Sequence, residues 1–185
     1  MECKTATSEY ERTSILRQRY EVFVEEFNFL PPVEENRELE YDQYDEYSLL
    51  LGVWEDDDLI ASCRLILPNE PLGLPTLNRM IIDSPIFRRD YPTAEISRIM
   101  IAAGHRKFKK SVKVLQLMQK KIDQLSAEHG ITQCIGSVEP AFLKLLHYAN
   151  LPYQPIGPLQ HHIGPDRYPV ILKTDYLASL QKQNR

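Results

Sequence analysis

A three-layer α/β domain on a mixed sheet is the fold class this sequence predicts, and three observations predict it. Apolar positions recur at helical spacing in two well-separated segments, around 15–27 and 112–125. Short apolar runs bounded by turn residues lie between and after them and read as strands. One such run is followed by the second helix and then by another apolar run. That strand–helix–strand crossover makes its two strands parallel neighbours. A chain of 185 residues is long enough to bury a real core as one domain over 1–185.

The elements follow in order. Ile15, Leu16, Tyr20, Phe23, Val24 and Phe27 share a helical face, with Ser8 or Ser14 placed to cap its start and Pro31-Pro32 to stop it. A polar, acidic loop covers 33–47. The runs 48–54 and 59–67 form an antiparallel pair joined by Glu55-Asp56-Asp57-Asp58, and proline and glycine make a loop of 68–75. Residues 77–87 read as a short helix. The apolar run 95–101 is the central strand. A long helix follows Gly104-His105 and carries Val112, Leu115, Met118, Ile122 and Leu125 on one face until about Glu128 and Gly130. A buried strand over 131–137, a helix over 140–150 and a last strand over 170–173 complete the order.

Composition excludes several classes. A net charge of −4 gives no general reason to expect nucleic acid. The first residues lack the apolar core of a signal peptide and no run reaches membrane-spanning length, so a cytoplasmic protein with no membrane span is expected. Cys3, Cys63 and Cys134 are odd in number and scattered, which fits reduced thiols, the latter two as core fillers on strands.

Charge carries the functional signal. The central strand reads Ala94-Glu95-Ile96-Ser97-Arg98-Ile99-Met100-Ile101, an acid and a base inside an apolar run. Strand alternation puts Glu95, Ser97 and Ile99 on one face and Arg98 on the other. Glu or Arg on a buried strand needs a partner or a task. Upstream, Arg64 interrupts the second hairpin strand, and Glu40-Tyr41-Asp42-Gln43-Tyr44-Asp45 supplies acids. The residues alone allow two readings: a polar cluster in a functional cleft, or a structural salt-bridge network.

Taken together, Arg19-x3-Phe23-x5-Phe29, Glu40-x-Asp42-x2-Asp45, Arg64 and Glu95-x-Ser97-Arg98 resemble the autoinducer-synthase branch of the GNAT acyltransferases. The best-known members are the acyl-homoserine-lactone synthases. Arg19-Tyr20-Glu21-Val22-Phe23, Asn28-Phe29-Leu30-Pro31 and Tyr153-Gln154-Pro155-Ile156-Gly157 are more similar to two sister groups. These are the N-acyl amino acid synthases and the exosortase-associated acyltransferases. The likeness runs from about Arg17 to Val170. It departs at Phe29, where the lactone synthases usually carry tryptophan beside the S-adenosylmethionine pocket.

The resemblance implies a GNAT-like sheet with helices on both faces and splayed central strands, the donor's pantetheine arm lying between them. It implies an amide-forming acyltransferase that moves a medium or long acyl chain from a thioester to the amine of a small amino compound. The acceptor is either S-adenosylmethionine, giving a lactone signal of the quorum-sensing kind, or an ordinary amino acid. Catalysis falls to Glu95 as the base, with Ser97 and Arg98. Arg19, Phe23, Phe29, Asp42, Asp45 and Arg64 shape the acceptor side, where a bidentate arginine suits a carboxylate and Asp42 or Asp45 suits an ammonium or sulfonium. Phe23 reads equally as core. Met100, Leu117, Met118 and Phe142 read either as an acyl tunnel or as core. No cofactor is expected to be tightly bound.

The wider family carries a glycine-rich turn for coenzyme A pyrophosphate after the central strand. Here the segment is Arg106-Lys107-Phe108-Lys109-Lys110-Ser111, with no glycine. Its charge, extended by Lys113, suits an acidic acyl carrier protein better than free acyl-coenzyme A, which makes Arg106, Lys107, Lys109 and Lys110 the expected donor-binding residues. A solvated helix start is the alternative. His161-His162 with Asp166 lacks the spacing of a zinc site. No hydrolase elbow, phosphate-binding Walker loop or dinucleotide fingerprint is present. From another class, the rival function is a non-catalytic acyl-carrier-binding or acyl-sensing protein on the same fold.

Overall fold

The structure is a computed structural model that describes residues 1–32 and 38–172. Its strands are β1 (Glu2–Thr5), β2 (Ser48–Glu55), β3 (Asp58–Ile66), β4 (Thr93–Ile101), β5 (Gln133–Val138), β6 (Tyr153–Pro155), β7 (Gln160–His161) and β8 (Asp166–Leu172). The order across the sheet is β1-β2-β3-β4-β5-β8-β6, with β7 on β8. Every pairing is antiparallel except β4 with β5, the crossover pair. The α-helices are α1 (Glu9–Tyr20), α2 (Pro75–Arg79), α3 (Phe108–Glu128) and α4 (Pro140–Tyr148).

Alternation along the strands builds a core on each face. Leu51, Val53, Cys63, Leu65, Cys134, Val170 and Leu172 point into one core with Val114, Leu115, Met118 and Ile122 of α3. Their neighbours go the other way: Leu50 meets Ile15 of α1, and Ile66, Ile135 and Ile171 meet Leu74 and Phe87. Ser8 caps α1. Its hydroxyl accepts from the Glu11 N–H at 3.2 Å, while the Glu11 carboxylate accepts from the Ser8 N–H at 3.1 Å.

Several expectations change. The first helix does not run on as α-helix to Phe27: from Glu21 to Glu26 it widens into a π-helix, a form concentrated at functional sites. The expected loop over 33–47 ends in a 3₁₀-helix, Gln43–Tyr47, and its residues 33–37 lie outside those described. Only Pro75–Arg79 is helical where a helix over 77–87 was expected. Pro75 starts it early, and Ser84 before Pro85 is pushed away from helical backbone. The last strand begins at Asp166 rather than 170, and Lys173 lies outside the described residues. Among the described residues, β1, β6 and β7 went unread.

The central strand departs from regular alternation. Arg64 of β3 pairs with Ser97, but Ser62 pairs with Met100, so β4 carries one extra residue. This bulge is centred on Arg98, whose φ is 52°. Arg98 therefore joins the face of Glu95 and Ser97, and Ile99 packs on the opposite core. That overturns the assignment of Ile99 to the Glu95 face and Arg98 to the other.

β4 and β5 pair only at Thr93–Gln133, Ala94–Cys134 and Glu95–Ile135, then part. Gly136 sits at the parting. A Cβ there would stand 2.7 Å from the carbonyl oxygen of Ile96, so only glycine lets the strands converge this closely before they separate.

Candidate active site

The parting opens a cleft of about 890 Å³. One wall comes from the end of the first helix, residues 39–44 and the bulged part of β4, and the other from α2 and residues 162–167. Val138, Ala141, Phe142 and Leu145 of β5 and α4, with Met100, Phe23 and Leu30, line its apolar part.

Three arginines and three acids organise the first wall. Arg19, 1% exposed, donates to Glu40 at 2.5 Å and with both terminal nitrogens to Asp45 at 2.7 and 3.1 Å. Arg64, also 1% exposed, donates to Asp42 at 2.6 and 3.1 Å and to the Ser97 hydroxyl at 2.9 Å. Arg98 bridges Glu40 at 2.9 and 3.1 Å and Asp42 at 3.2 Å. These paired bonds are the strong, directional kind. Asp42 and Asp45 also cap the 3₁₀-helix, Asp42 accepting from the Tyr44 N–H at 2.9 Å and Asp45 from the Asp42 N–H at 2.8 Å. The charge-bearing loop is thereby fixed in shape. Burial opposes the charge on Glu40, but Arg98 and Arg19 outweigh it and hold the carboxyl down at about 2. Burial likewise opposes ionisation of Asp45, and Arg19 and Arg64 lower its pKa.

Glu95 stands apart from this network. Its sheet neighbours are Ile66 on β3 and Ile135 on β5, both in the apolar core. Its oxygens accept from the backbone N–H and the hydroxyl of Thr76, each at 2.8 Å. Burial dominates and pushes the carboxyl up to about 7, against those bonds and the fields of Arg64 and Arg98. A 2% exposed carboxylate that is half-ionised near neutrality lines the cleft where the strands part.

The structure thus brings Arg19, Asp42, Asp45, Arg64, Ser97 and Arg98 into one cluster and sets Glu95 in the same cleft. Arg19 and Asp45 back the wall and do not line the cleft. Phe23 lines it beneath the Arg98 guanidinium, 5.4 Å away. Phe29 lines it too, stacked on Phe27 at 5.1 Å, with the Arg167 guanidinium 5.7 Å from its ring. Met100 and Phe142 line the cleft, but Leu117 and Met118, both on α3, pack in and against the core. Of the basic segment, Arg106 reaches the cleft rim, donates to the Ile101 carbonyl at 2.7 Å and pairs with Glu26. Lys110 pairs with Glu55 at 2.6 Å, whereas Lys107 and Lys109 are exposed. Among the described residues no group of side chains is arranged to hold a metal ion. Sequence reasoning noted Glu40 in its motif without giving it a role, yet it joins Arg19 to Arg98. It missed Thr76, Arg79 and Arg167, which carry no motif, and it weighed His162 only as a metal ligand.

Parallel central strands part around a cleft with a carboxylate at the parting, and the family match makes the class an acyltransferase. Residues 18–116, more than half of the chain, match the acetyltransferase (GNAT) domain family, and the chain belongs to it. No curated protein matches the sequence. Among solved structures, the fold is similar to TofI, solved in a ternary complex with an inhibitor and MTA. TofI is 18% identical, with 98% of this chain and 97% of that one covered at a TM-score of 0.74. It is similar to FeeM, an N-acyl amino acid synthase from uncultured soil microbes, at 17% identity, 99% and 97% coverage and a TM-score of 0.68. It is also similar to BjaI, a CoA-dependent acyl-homoserine lactone synthase solved with SAM and isopentyl-CoA. BjaI is 21% identical, with 98% and 87% covered at a TM-score of 0.67. No helix among the described residues is long and apolar enough to cross a membrane.

Proposed function

We propose that this acyltransferase joins a medium or long fatty acyl group to the amine of a small amino compound, with acyl carrier protein as the donor. The observation that carries the reading is Glu95, a cleft carboxylate held near pH 7 where β4 and β5 part. An ammonium is not a nucleophile. Glu95, directly or through a water, takes its proton, and the neutral nitrogen attacks the thioester carbonyl. The N–C bond forms, the nitrogen gives up its second proton, and the C–S bond breaks; of the two protons shed by the nitrogen, one passes by way of Glu95 to the departing thiolate and the other to water. Arg98 and Ile99 lie at the bulge, outside the β3 register, and a backbone N–H there stabilises the oxyanion. The acyl chain occupies the apolar part beside Met100 and Phe142, and holding both reactants in line lowers the barrier further.

Two features support the donor and the acceptor. The start of α3 has no glycine to wrap a diphosphate but presents Lys107 and Lys109 to solvent for an acidic carrier. Phe29, in place of tryptophan, fills its corner against Gly164, where a Cβ would stand 2.6 Å from its ring. This favours an amino acid over S-adenosylmethionine as the acceptor.

The test is thiol release from acyl carrier protein and from acyl-coenzyme A across a panel of amino acids and S-adenosylmethionine, with products read by mass spectrometry. An N-acyl amino acid formed from the carrier is the expected result. Binding of the carrier without turnover on any amine would overturn it.

A further inference from the structure

The wall opposite the arginine–carboxylate network is charged and unmatched. Arg79, the last residue of α2, is exposed, lines the cleft and has no ion pair or hydrogen bond among the described residues. Arg167, at the start of β8, donates to the Ile163 carbonyl at 2.9 Å, to the Ser137 carbonyl at 3.5 Å and to Glu139 at 3.2 Å, the one carboxylate it meets among the described residues. His162 lines the cleft with them. Burial first, then the fields of Arg167, Arg79 and Arg98, hold this imidazole down at about 4, so it is neutral at physiological pH. Burial and Arg98 also lower the pKa of Arg167, against the pull of Glu139. Burial is the first cause of both shifts, and neighbouring guanidinium groups add to it.

These groups sit on two segments fastened to each other. The Gln160 carboxamide accepts from the Ile81 N–H at 2.9 Å and donates to the Ile81 carbonyl at 3.2 Å. The Asp83 N–H donates to the Ile156 carbonyl at 3.0 Å. A Cβ on Gly157 would stand 2.1 Å from the Ile81 carbonyl oxygen, so the backbones could not approach this closely with any other residue there. The other end of α2 is anchored by Thr76 to Glu95. Arg79 is three residues on, on the same side of the helix. The same short helix thus touches the carboxylate proposed as base and carries the unpaired guanidinium. An α-amino acid carries both an amine for such a base and a carboxylate for such a guanidinium.

We propose that Arg79 and Arg167 hold the carboxylate of the acceptor, with His162 beside them, and so select an α-amino acid over a simple amine. This rests on the acyltransfer reading above and names its acceptor subsite. The three arginines of the opposite wall are each paired with carboxylates of the protein, whereas Arg167 meets one carboxylate and the Arg79 guanidinium meets none among the described residues.

Calorimetry with N-dodecanoyl-tyrosine and N-dodecanoyl-tyramine separates this proposal from turnover. The wild-type protein should bind the carboxylate-bearing compound about 10- to 100-fold more tightly, the range of a charged hydrogen-bonded contact. In Arg79→Gln and Arg167→Gln that ratio should fall toward one, and Arg79→Lys should recover part of it. Equal affinity for the two compounds in the wild type, or an unchanged ratio in both glutamine variants, would overturn the subsite. Acylation assays with tyrosine, methionine and S-adenosylmethionine against tyramine then identify which carboxylate-bearing acceptor is used. If no amine is acylated, the acyltransfer reading fails while the binding ratio still decides the subsite. If the variants weaken donors equally with tyrosine and tyramine, the two arginines hold a donor phosphate and the proposal falls.

Discussion

On one side of the cleft Arg19, Arg64 and Arg98 meet Glu40, Asp42 and Asp45, bond for bond. On the other, Arg167 meets Glu139 and Arg79 meets no carboxylate among the described residues. The same residue type is therefore used in two ways. Where each guanidinium has its carboxylate, the charges cancel and the geometry is fixed, which suits a scaffold around a reaction centre. Where cations outnumber acids, the field is left for something that arrives from outside. Counting arginines in a sequence cannot tell these apart; counting their partners can.

The comparison breaks most sharply under truncation. Arg19→Ala should lose about 3–5 kcal/mol of stability in denaturant unfolding, because the half-buried Asp45 loses its main counter-charge and the buried Glu40 keeps only Arg98. Arg79→Ala, from the other wall, should stay within about 0.5 kcal/mol of the wild type. Equal losses would erase the distinction between the walls.

Acid titration of stability sharpens it further. Glu40 has its pKa lowered from 4.5 to about 2, so its contribution is complete above pH 4.5 and is lost as the pH falls toward 2. That amounts to about 3 kcal/mol. Glu95 runs the opposite way, raised from 4.5 to about 7. The folded state holds its proton more tightly than the unfolded chain, so its contribution is complete below pH 4.5 and is lost as the pH rises through 7. Unfolding curves of Glu95→Gln should lack that neutral-range slope while retaining the acid loss.

In catalysis, Glu95→Gln should lower kcat by roughly 10²-fold or more with the fold intact. The wild-type rate should fall as the pH drops below about 7, and the variant should lose that limb of the profile. A folded Glu95→Gln enzyme with full activity would leave Glu95 as no more than the anchor of Thr76. The smallest effect belongs to the rim. Reversing Lys107 and Lys109 to Glu should cut kcat/KM for acyl carrier protein several-fold, an effect weakened by salt. A short acyl-pantetheine donor should be nearly indifferent.

Much of this was legible because burial leaves a periodic trace. The hairpin, the crossover pair and α3 were read from apolar spacing, and the charged members of the first wall stood out as acids and arginines in or beside apolar runs. The second wall left no such trace. Arg79 and Arg167 lie in short or irregular segments where a basic residue is unremarkable, and it is long-range contact, including that between residues 81–83 and 156–160, that brings their segments together. β1 and β6 are short, and β6 holds a proline, so neither shows a run. The side of Arg98 was misjudged because a bulge is invisible to a rule that counts by twos.

That bulge has a simple arithmetic. Without Arg98, the strand would read Glu95, Ile96, Ser97, Ile99, Met100, Ile101, in strict alternation between cleft and core. No neighbour changes sides whether residue 98 is present or absent. Arg98 behaves as an inserted letter in an otherwise regular word. It adds a guanidinium to the chamber without taking a position from any apolar side chain, at the expense of one residue in left-handed backbone. A strand can thus gain a charged group by addition while its packing code stays intact.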